Sequence, residues 1–247
     1  MKRAWYGFLY YISWAFFGGL GLLLNLVCLP LLLLPKSRQR AACIRRLIQW
    51  LFGFWLRWLH ACGVVDVRWR GFEGRPLAGG TVFVANHPTL VDATVLLARL
   101  PDAVCVFKPS LLRNPVIGPA ARVSGYIAGQ QGVDTVRAAA EALKRGCSLL
   151  VFPEGTRTEP GRSLNPLKPG FALIARRAQA PIQVILLRAS PDLVPRGRSW
   201  WKLPPLPGWI EATLDKHILP EPGCTTLQLV ERVEARLTLA RAAGGDA

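Results

Sequence analysis

The sequence predicts an α/β protein: a largely parallel mixed sheet flanked by helices, with an N-terminal hydrophobic membrane anchor and an interfacial amphipathic helix. Three observations carry that reading. From about Val64, short β-rich runs alternate with helical patterns, the texture of a buried sheet with crossover helices. Ahead of them, no charged residue falls between Trp5 and Leu34. Between the two, apolar residues recur at three- and four-residue steps from Ile44 to Cys62, which marks one face of a helix.

The apolar run comes first. At about 1.5 Å per helical residue it is longer than a bilayer core of roughly 30 Å requires. Gly18, Gly19, Gly21 and Pro30 interrupt it, so it reads either as one tilted helix or as a broken, re-entrant hairpin in one leaflet. Lys2 and Arg3 precede it; Lys36, Arg38, Arg40, Arg45 and Arg46 follow. The heavier basic flank predicts a body on the cytoplasmic side, in a bacterium that of the inner membrane. A signal peptide would have a shorter apolar core and small residues at a cleavage site. Val27 before Cys28 does not suit a lipoprotein site.

Next, Ile44, Leu47, Ile48, Leu51, Phe52, Trp55, Trp58, Leu59 and Cys62 form the apolar side of a helix, and Arg45, Arg46, Gln49, Arg57 and His60 the other. A basic side opposite a Trp-, Phe- and Leu-rich side suits a helix lying in the membrane interface. The alternative is a core helix whose arginines are solvated. Residues 1–62 are thus read as anchor plus interfacial helix, and residues 63–247 as the α/β domain. Within that domain, strands are expected at Val64–Trp69, Thr81–Ala85, Ala103–Phe107, Ser148–Phe152 and Ile182–Leu187. Helices are expected near Val91–Arg99, Val133–Arg145, Phe171–Gln179 and Thr225–Leu239, the last followed by a fraying Gly-Gly tail.

Composition narrows the partners. The 247 residues carry a net charge of +16, with 31 Lys and Arg against 15 Asp and Glu. So basic a chain points to an anionic partner. Nucleic acid would explain the charge but not the apolar N-terminus, so a membrane surface is favoured and no nucleic acid is expected. The six cysteines form no C-x-x-C pair; neither a zinc framework nor a disulfide scaffold is expected, and no metal.

Two segments carry chemistry. Asn86-His87-Pro88-Thr89-Leu90-Val91-Asp92 directly follows a predicted strand. Asp92 would open the next helix and either cap it or reach back to the imidazole. In the second case it fixes the tautomer and supports the imidazolium, while the other ring nitrogen takes a proton from a hydroxyl. Downstream, a second strand runs into Phe152-Pro153-Glu154-Gly155-Thr156-Arg157, which offers a carboxylate for hydroxyls and a guanidinium fork for an anion.

Together these blocks resemble the glycerolipid acyltransferase family, which includes 1-acylglycerol-3-phosphate acyltransferases and is marked by Asn-His-x4-Asp and Phe-Pro-Glu-Gly-Thr-Arg. The resemblance spans roughly Val64 to Leu187. It implies that His87 is the general base, that Asp92 orients it, and that the hydroxyl of a lysolipid attacks an acyl thioester directly. The co-substrate would be acyl-CoA or an acyl carrier protein, with no bound cofactor. Glu154, Gly155, Thr156, Arg157 and Lys108 would bind the acceptor, and membrane lipids would be partners. Between the blocks, Lys108, Pro115, Gly118 and Gly125 fit the family pattern. Its ending differs: Ala128-Gly129-Gln130-Gln131 stands where the family often has a phosphate-binding arginine. The segment Ala180–Val184 keeps one proline of a fourth block and would support the site.

The most favoured acceptor is 1-acylglycerol-3-phosphate, with a lyso-ornithine lipid as the alternative. A non-catalytic basic lipid-binding protein is a further reading, but it would have no use for His87, Asp92 and Glu154 together. No Gly-x-Ser-x-Gly elbow suggests a hydrolase. In the loop Ala189–Pro207, Trp200 and Trp201 beside Arg196, Arg198 and Lys202 suit headgroup depth or simple packing on the body. His60 and His217 are read as structural.

Overall fold

The computed structural model describes residues 2–74, 77–129, 132–190 and 193–242. Gln130, Gln131 and the Gly-Gly tail lie outside these. The strands are β1 (Val65–Arg70), β2 (Val82–Ala85), β3 (Ala103–Phe107), β4 (Ile127–Ala128), β5 (Ser148–Val151), β6 (Ile182–Ala189) and β7 (Gly208–Ile218). The helices are α1 (Lys2–Leu31), α2 (Arg38–Ala61), α3 (Asp92–Leu97), α4 (Gly118–Val123), α5 (Val133–Lys144), α6 (Gly170–Ala178) and α7 (Thr226–Ala242), with a 3-10 turn at Pro109–Arg113. The strands form one sheet in the order β1-β7-β6-β2-β5-β3-β4. Every pairing is parallel except β6 with β7.

Alternation along the strands builds a core on each face of the sheet. Val82 and Val84 of β2, with Ile182, Val184 and Leu186 of β6, face α5, α6 and α7. Phe83, Ala85, Ile185 and Leu187 face α3 and the segment around Phe72. Strands covered on both faces have no polar side, which explains the unbroken apolar run of β2.

Two strands escape the sequence reading. The two residues of β4 are too short for any periodic signal. The strand β7 follows the proline-rich loop, and its alternation of Ile210, Ala212 and Leu214 inward is diluted by Glu211, Asp215, Lys216 and His217. Glu211 is itself buried and paired with Arg70 on β1 at 2.6 Å.

The N-terminal helices differ from expectation in one respect. Arg45 and Gln49 do not lie on a solvated side of α2. Arg45 is buried, donates to both Asp102 carboxylate oxygens at 2.7 and 3.0 Å and to the Ser124 carbonyl at 2.7 Å. Gln49 donates to the Leu100 carbonyl at 3.1 Å. The helix thus packs on the body through part of its polar side, while Leu47, Trp50 and Phe54 are exposed beside Arg46 and Arg57. The run before it is a single α-helix through Pro30 rather than a hairpin. By length and composition α1 alone among the described helices is able to cross a membrane.

The Arg45–Asp102 pair makes a pH prediction. Burial pushes the Asp102 carboxyl up, but the Arg45 hydrogen bonds and charge outweigh it and hold it below the ordinary range. A depressed carboxyl stabilises the fold above its unfolded pKa of about 3.9 and loses that contribution as pH falls through the lower folded value. Asp102→Asn is therefore expected to lower the urea midpoint at neutral pH and to flatten its decline below about pH 4, measured by urea melts across the acid range.

Candidate active site

The site forms where three adjacent parallel strands end. The central one is β5, with β2 on one side and β3 on the other, so the chain leaves all three at one edge of the sheet. Asn86, directly after β2, is buried and bridges to β6. It accepts from the Leu187 N–H at 2.7 Å and donates to the Leu187 carbonyl at 2.8 Å. That clamp fixes the backbone just before His87. Pro181 also ties β6 to β2 through its carbonyl, which accepts from Val82 N–H at 2.9 Å.

Asp92 reaches back rather than capping its own helix. Its Oδ2 lies 2.7 Å from His87 Nδ1 and accepts from Thr89 N–H at 2.7 Å, while Oδ1 accepts from the Thr89 hydroxyl. The carboxylate is fully buried, whereas the His87 side chain is 20% exposed, so part of the imidazole stays accessible. The Phe152 ring stacks on it, with centroids 4.2 Å apart and 24° between planes. Three contacts therefore set the ring: a carboxylate at one nitrogen, an aromatic face, and a fixed backbone.

The second turn closes on the first. Gly155 N–H donates to the Phe152 carbonyl at 3.0 Å, and Gly155 holds φ +70°, a conformation that favours glycine. Glu154 is buried. Its Oε1 accepts from His87 N–H and the Thr158 hydroxyl, and its Oε2 from Asn165 N–H, each at 2.9 Å. Glu154, expected on the acceptor side, is turned inward onto these three donors. Both carboxylate oxygens accept from within the protein, because the turns leave buried donors that need an acceptor. The link is reinforced by Thr158 N–H donating to the His87 carbonyl at 2.8 Å.

Arg157 is half-buried, and its Nη1 donates to the carbonyls of Val194 and Pro195 at 3.1 and 2.9 Å. Burial lowers the guanidinium's pKa; the Asp92 charge opposes that and Arg196 adds to it. Gly155 is exposed and Thr156 half-buried in the same turn. Lys108, exposed, follows β3 at the same sheet edge, two strands over from His87. It shares that edge without a direct contact to the pair. Thr89, Thr158, Asn165 and Phe152 are the parts that sequence reasoning missed. Phe152 and Thr89 sit inside the recognised blocks, whereas nothing in the spacing of Asn165 points to Glu154. Among the described residues no group of three or more His, Cys, Asp or Glu side chains converges, and all six cysteines are free.

Comparison with known proteins fits this geometry. Residues 66–188 match the acyltransferase family model. The chloroplastic 1-acyl-sn-glycerol-3-phosphate acyltransferase of Brassica napus is 32% identical over 134 residues, 52% of this chain and 39% of that protein. The Helicobacter pylori 1-acyl-sn-glycerol-3-phosphate acyltransferase is 34% identical over 115 residues, 44% of this chain and 48% of that one. The chain thus spans less than half the length of these relatives. The lyso-ornithine lipid O-acyltransferase of Pseudomonas aeruginosa is 31% identical over 165 residues, 65% and 62% of the two chains. The crystal structure of the 1-acyl-sn-glycerophosphate acyltransferase of Thermotoga maritima shares the fold, with a TM-score of 0.74, 22% identity and coverage of 100% and 98%. Through residues 66–188, which hold both turns of the site, the chain belongs to the acyltransferase family.

Proposed function

We propose that this chain is an O-acyltransferase that moves a fatty acyl group from a thioester to the hydroxyl of a lysolipid, most favourably 1-acylglycerol-3-phosphate. The observation that carries the reading is the buried Asp92 carboxylate on His87 Nδ1, in a ring that stays partly accessible. With Nδ1–H donated to Asp92, Nε2 holds the lone pair and accepts the acceptor's proton. The acceptor oxygen then bonds to the thioester carbonyl carbon, the C–S bond breaks, and the proton on Nε2 passes to the departing thiolate. Asp92 orients the ring and supports the imidazolium. Glu154 braces the two turns, while Gly155, Thr156, Arg157 and Lys108 form the acceptor side.

The test is acyl transfer by the purified protein in detergent, crossing several lysolipids with acyl-CoA and acyl carrier protein donors and reading products by mass. Lysophosphatidate converted to the diacyl product at the highest efficiency supports the reading; no acylated lipid from any pair refutes it. A second acceptor, a lyso-ornithine lipid, is favoured by one observation. The relative acting on it aligns over more of both chains than the two lysophosphatidate relatives do.

We further infer that residues 1–62 attach the body, residues 63–247, to a membrane by lying in one leaflet. The helix α1 is held along its length by polar contacts to the rest of the chain. Trp55 Nε1 donates to the Ser13 carbonyl at 2.9 Å, and Asn25 donates to the Val116 carbonyl at 2.6 Å and accepts from Ala120 N–H at 2.7 Å. A helix crossing the bilayer upright would drag these partners into hydrocarbon. Its outer side is apolar, with Phe8, Leu22, Leu23, Leu26 and Leu33 exposed. Leu47, Trp50 and Phe54 of α2 and Trp200 and Trp201 of the later loop are exposed as well. The heavier basic flank supports a body on the cytoplasmic side, in a bacterium that of the inner membrane. Arg46→Gln with Arg57→Gln is expected to weaken binding to anionic vesicles by about 2 kcal/mol, roughly 1 kcal/mol per cation near the surface, and to leave binding to neutral vesicles unchanged. Vesicle flotation checks it, and equal losses on both lipids would refute the electrostatic share.

A further inference from the structure

Lys168 is a charged side chain beside the site that neither motif contains. Its alkyl chain and ammonium lie across the Gly155 turn. A Cβ on Gly155 would stand 2.7 Å from Lys168 Nζ and 3.0 Å from its Cε, so a side chain there would push the flexible end of the lysine aside. Glycine is favoured here by the positive φ, and the lysine lies close above it. The lysine is held in place by its backbone. Lys168 N–H donates to the Pro153 carbonyl at 2.9 Å. Asn165, three residues earlier, is bonded to Glu154 and donates to the Arg157 carbonyl at 3.2 Å. The segment 165–168 is therefore strapped to the turn that stacks on His87.

Among the described residues, no ion pair holds the charge of Lys168, which is exposed. Both oxygens of Glu154 are taken by His87, Thr158 and Asn165. The neighbouring cation is differently placed: Arg157 has Nη1 on two carbonyls of the following loop. A lysine is a flexible point charge with three donors, suited to an anion whose position shifts with its lipid chain.

We propose that Lys168, laid over Gly155, binds the anionic headgroup of the acceptor beside Arg157, whose Nη1 anchors the loop at Val194 and Pro195. This rests on the acyltransferase reading and adds to it the residue that recognises the acceptor. The shared ligand chemistry is an oxyanion, supplied either by the phosphate of lysophosphatidate or by the carboxylate of a lyso-ornithine lipid. A side chain at Gly155 would displace the ammonium.

The experiment uses the full-length protein and compares wild type with Lys168→Met and Lys168→Arg. Initial rates are taken with lysophosphatidate, lyso-ornithine lipid and uncharged monoacylglycerol. In parallel, binding of a short-chain monomeric lysophosphatidate is followed by calorimetry. Lys168→Met is expected to raise KM for the charged acceptor by about tenfold or more, the size of one charge-assisted hydrogen bond. The kcat, the donor's KM and any transfer to monoacylglycerol should stay as in wild type, and Lys168→Arg should restore most of the loss. Whichever charged acceptor shows the effect identifies the oxyanion. An unchanged KM and unchanged calorimetric affinity in Lys168→Met overturn the proposal, as does a rise confined to the donor's KM. If wild type transfers to no lysolipid, the enzymatic reading fails, and the calorimetric comparison alone decides whether Lys168 binds the headgroup.

Discussion

Replacing His87 with alanine is expected to lower acyl transfer by about 10²- to 10⁴-fold, the range that a positioned general base contributes. The fold should survive, because the His87 backbone, not its ring, carries the bonds that join the two turns: its N–H to Glu154 and its carbonyl to Thr158. Circular dichroism and vesicle flotation should therefore match wild type. Asp92→Asn tests the second half of the pair. The amide replaces an oxygen that now faces Nδ1 at 2.7 Å, so either the tautomer is wrong or the imidazolium is unsupported. A loss of up to about 10⁴-fold in kcat follows. Steady-state rates on folded variants check both, and near-normal turnover in His87→Ala would remove the mechanism.

Glu154→Ala is expected to have the largest structural effect in the site. It takes the acceptor away from three donors at once: His87 N–H, the Thr158 hydroxyl and Asn165 N–H. Each buried donor left unsatisfied costs about 1–3 kcal/mol, although water entering the vacated space relieves part of the sum. A loss of about 3 kcal/mol is expected, together with a severe fall in kcat because the His87 backbone is released. Glu154→Gln keeps one acceptor oxygen but turns a donor NH2 toward the remaining donors, so it should fall between alanine and wild type in stability. Urea melts and rates read in parallel check this. A stable, slow Glu154→Ala protein with a raised acceptor KM alone would instead return Glu154 to the acceptor surface.

Much of this arrangement was legible in the sequence, for identifiable reasons. The strands β2, β5 and β6 are buried on both faces, so their apolar runs stand out, and the two chemical blocks follow directly after β2 and β5. The pairing of His87 with Asp92 could be anticipated as one of two local choices, because five residues of a proline-shaped turn allow the return. What the sequence hides is long-range. The buried role of Glu154 depends on Thr158 and Asn165, whose approach is set by the loop after β5. Arg45 reads as a solvated helix residue until Asp102 and Ser124 arrive from distant segments to meet it. Lys168 has no motif spacing at all; only the approach of its side chain to Gly155 reveals where it lies.

The central claim is that a hydroxyl activated by His87 attacks the thioester directly. A single-turnover reaction with an isotopically labelled acyl thioester and a lysolipid, followed by intact mass of both protein and lipid, tests it most directly. The label is expected to pass to the lysolipid as one new ester while the protein mass never changes, and His87→Ala should leave the label on the donor. Label on the protein before it reaches the lipid, or label released only as free fatty acid, would contradict the account.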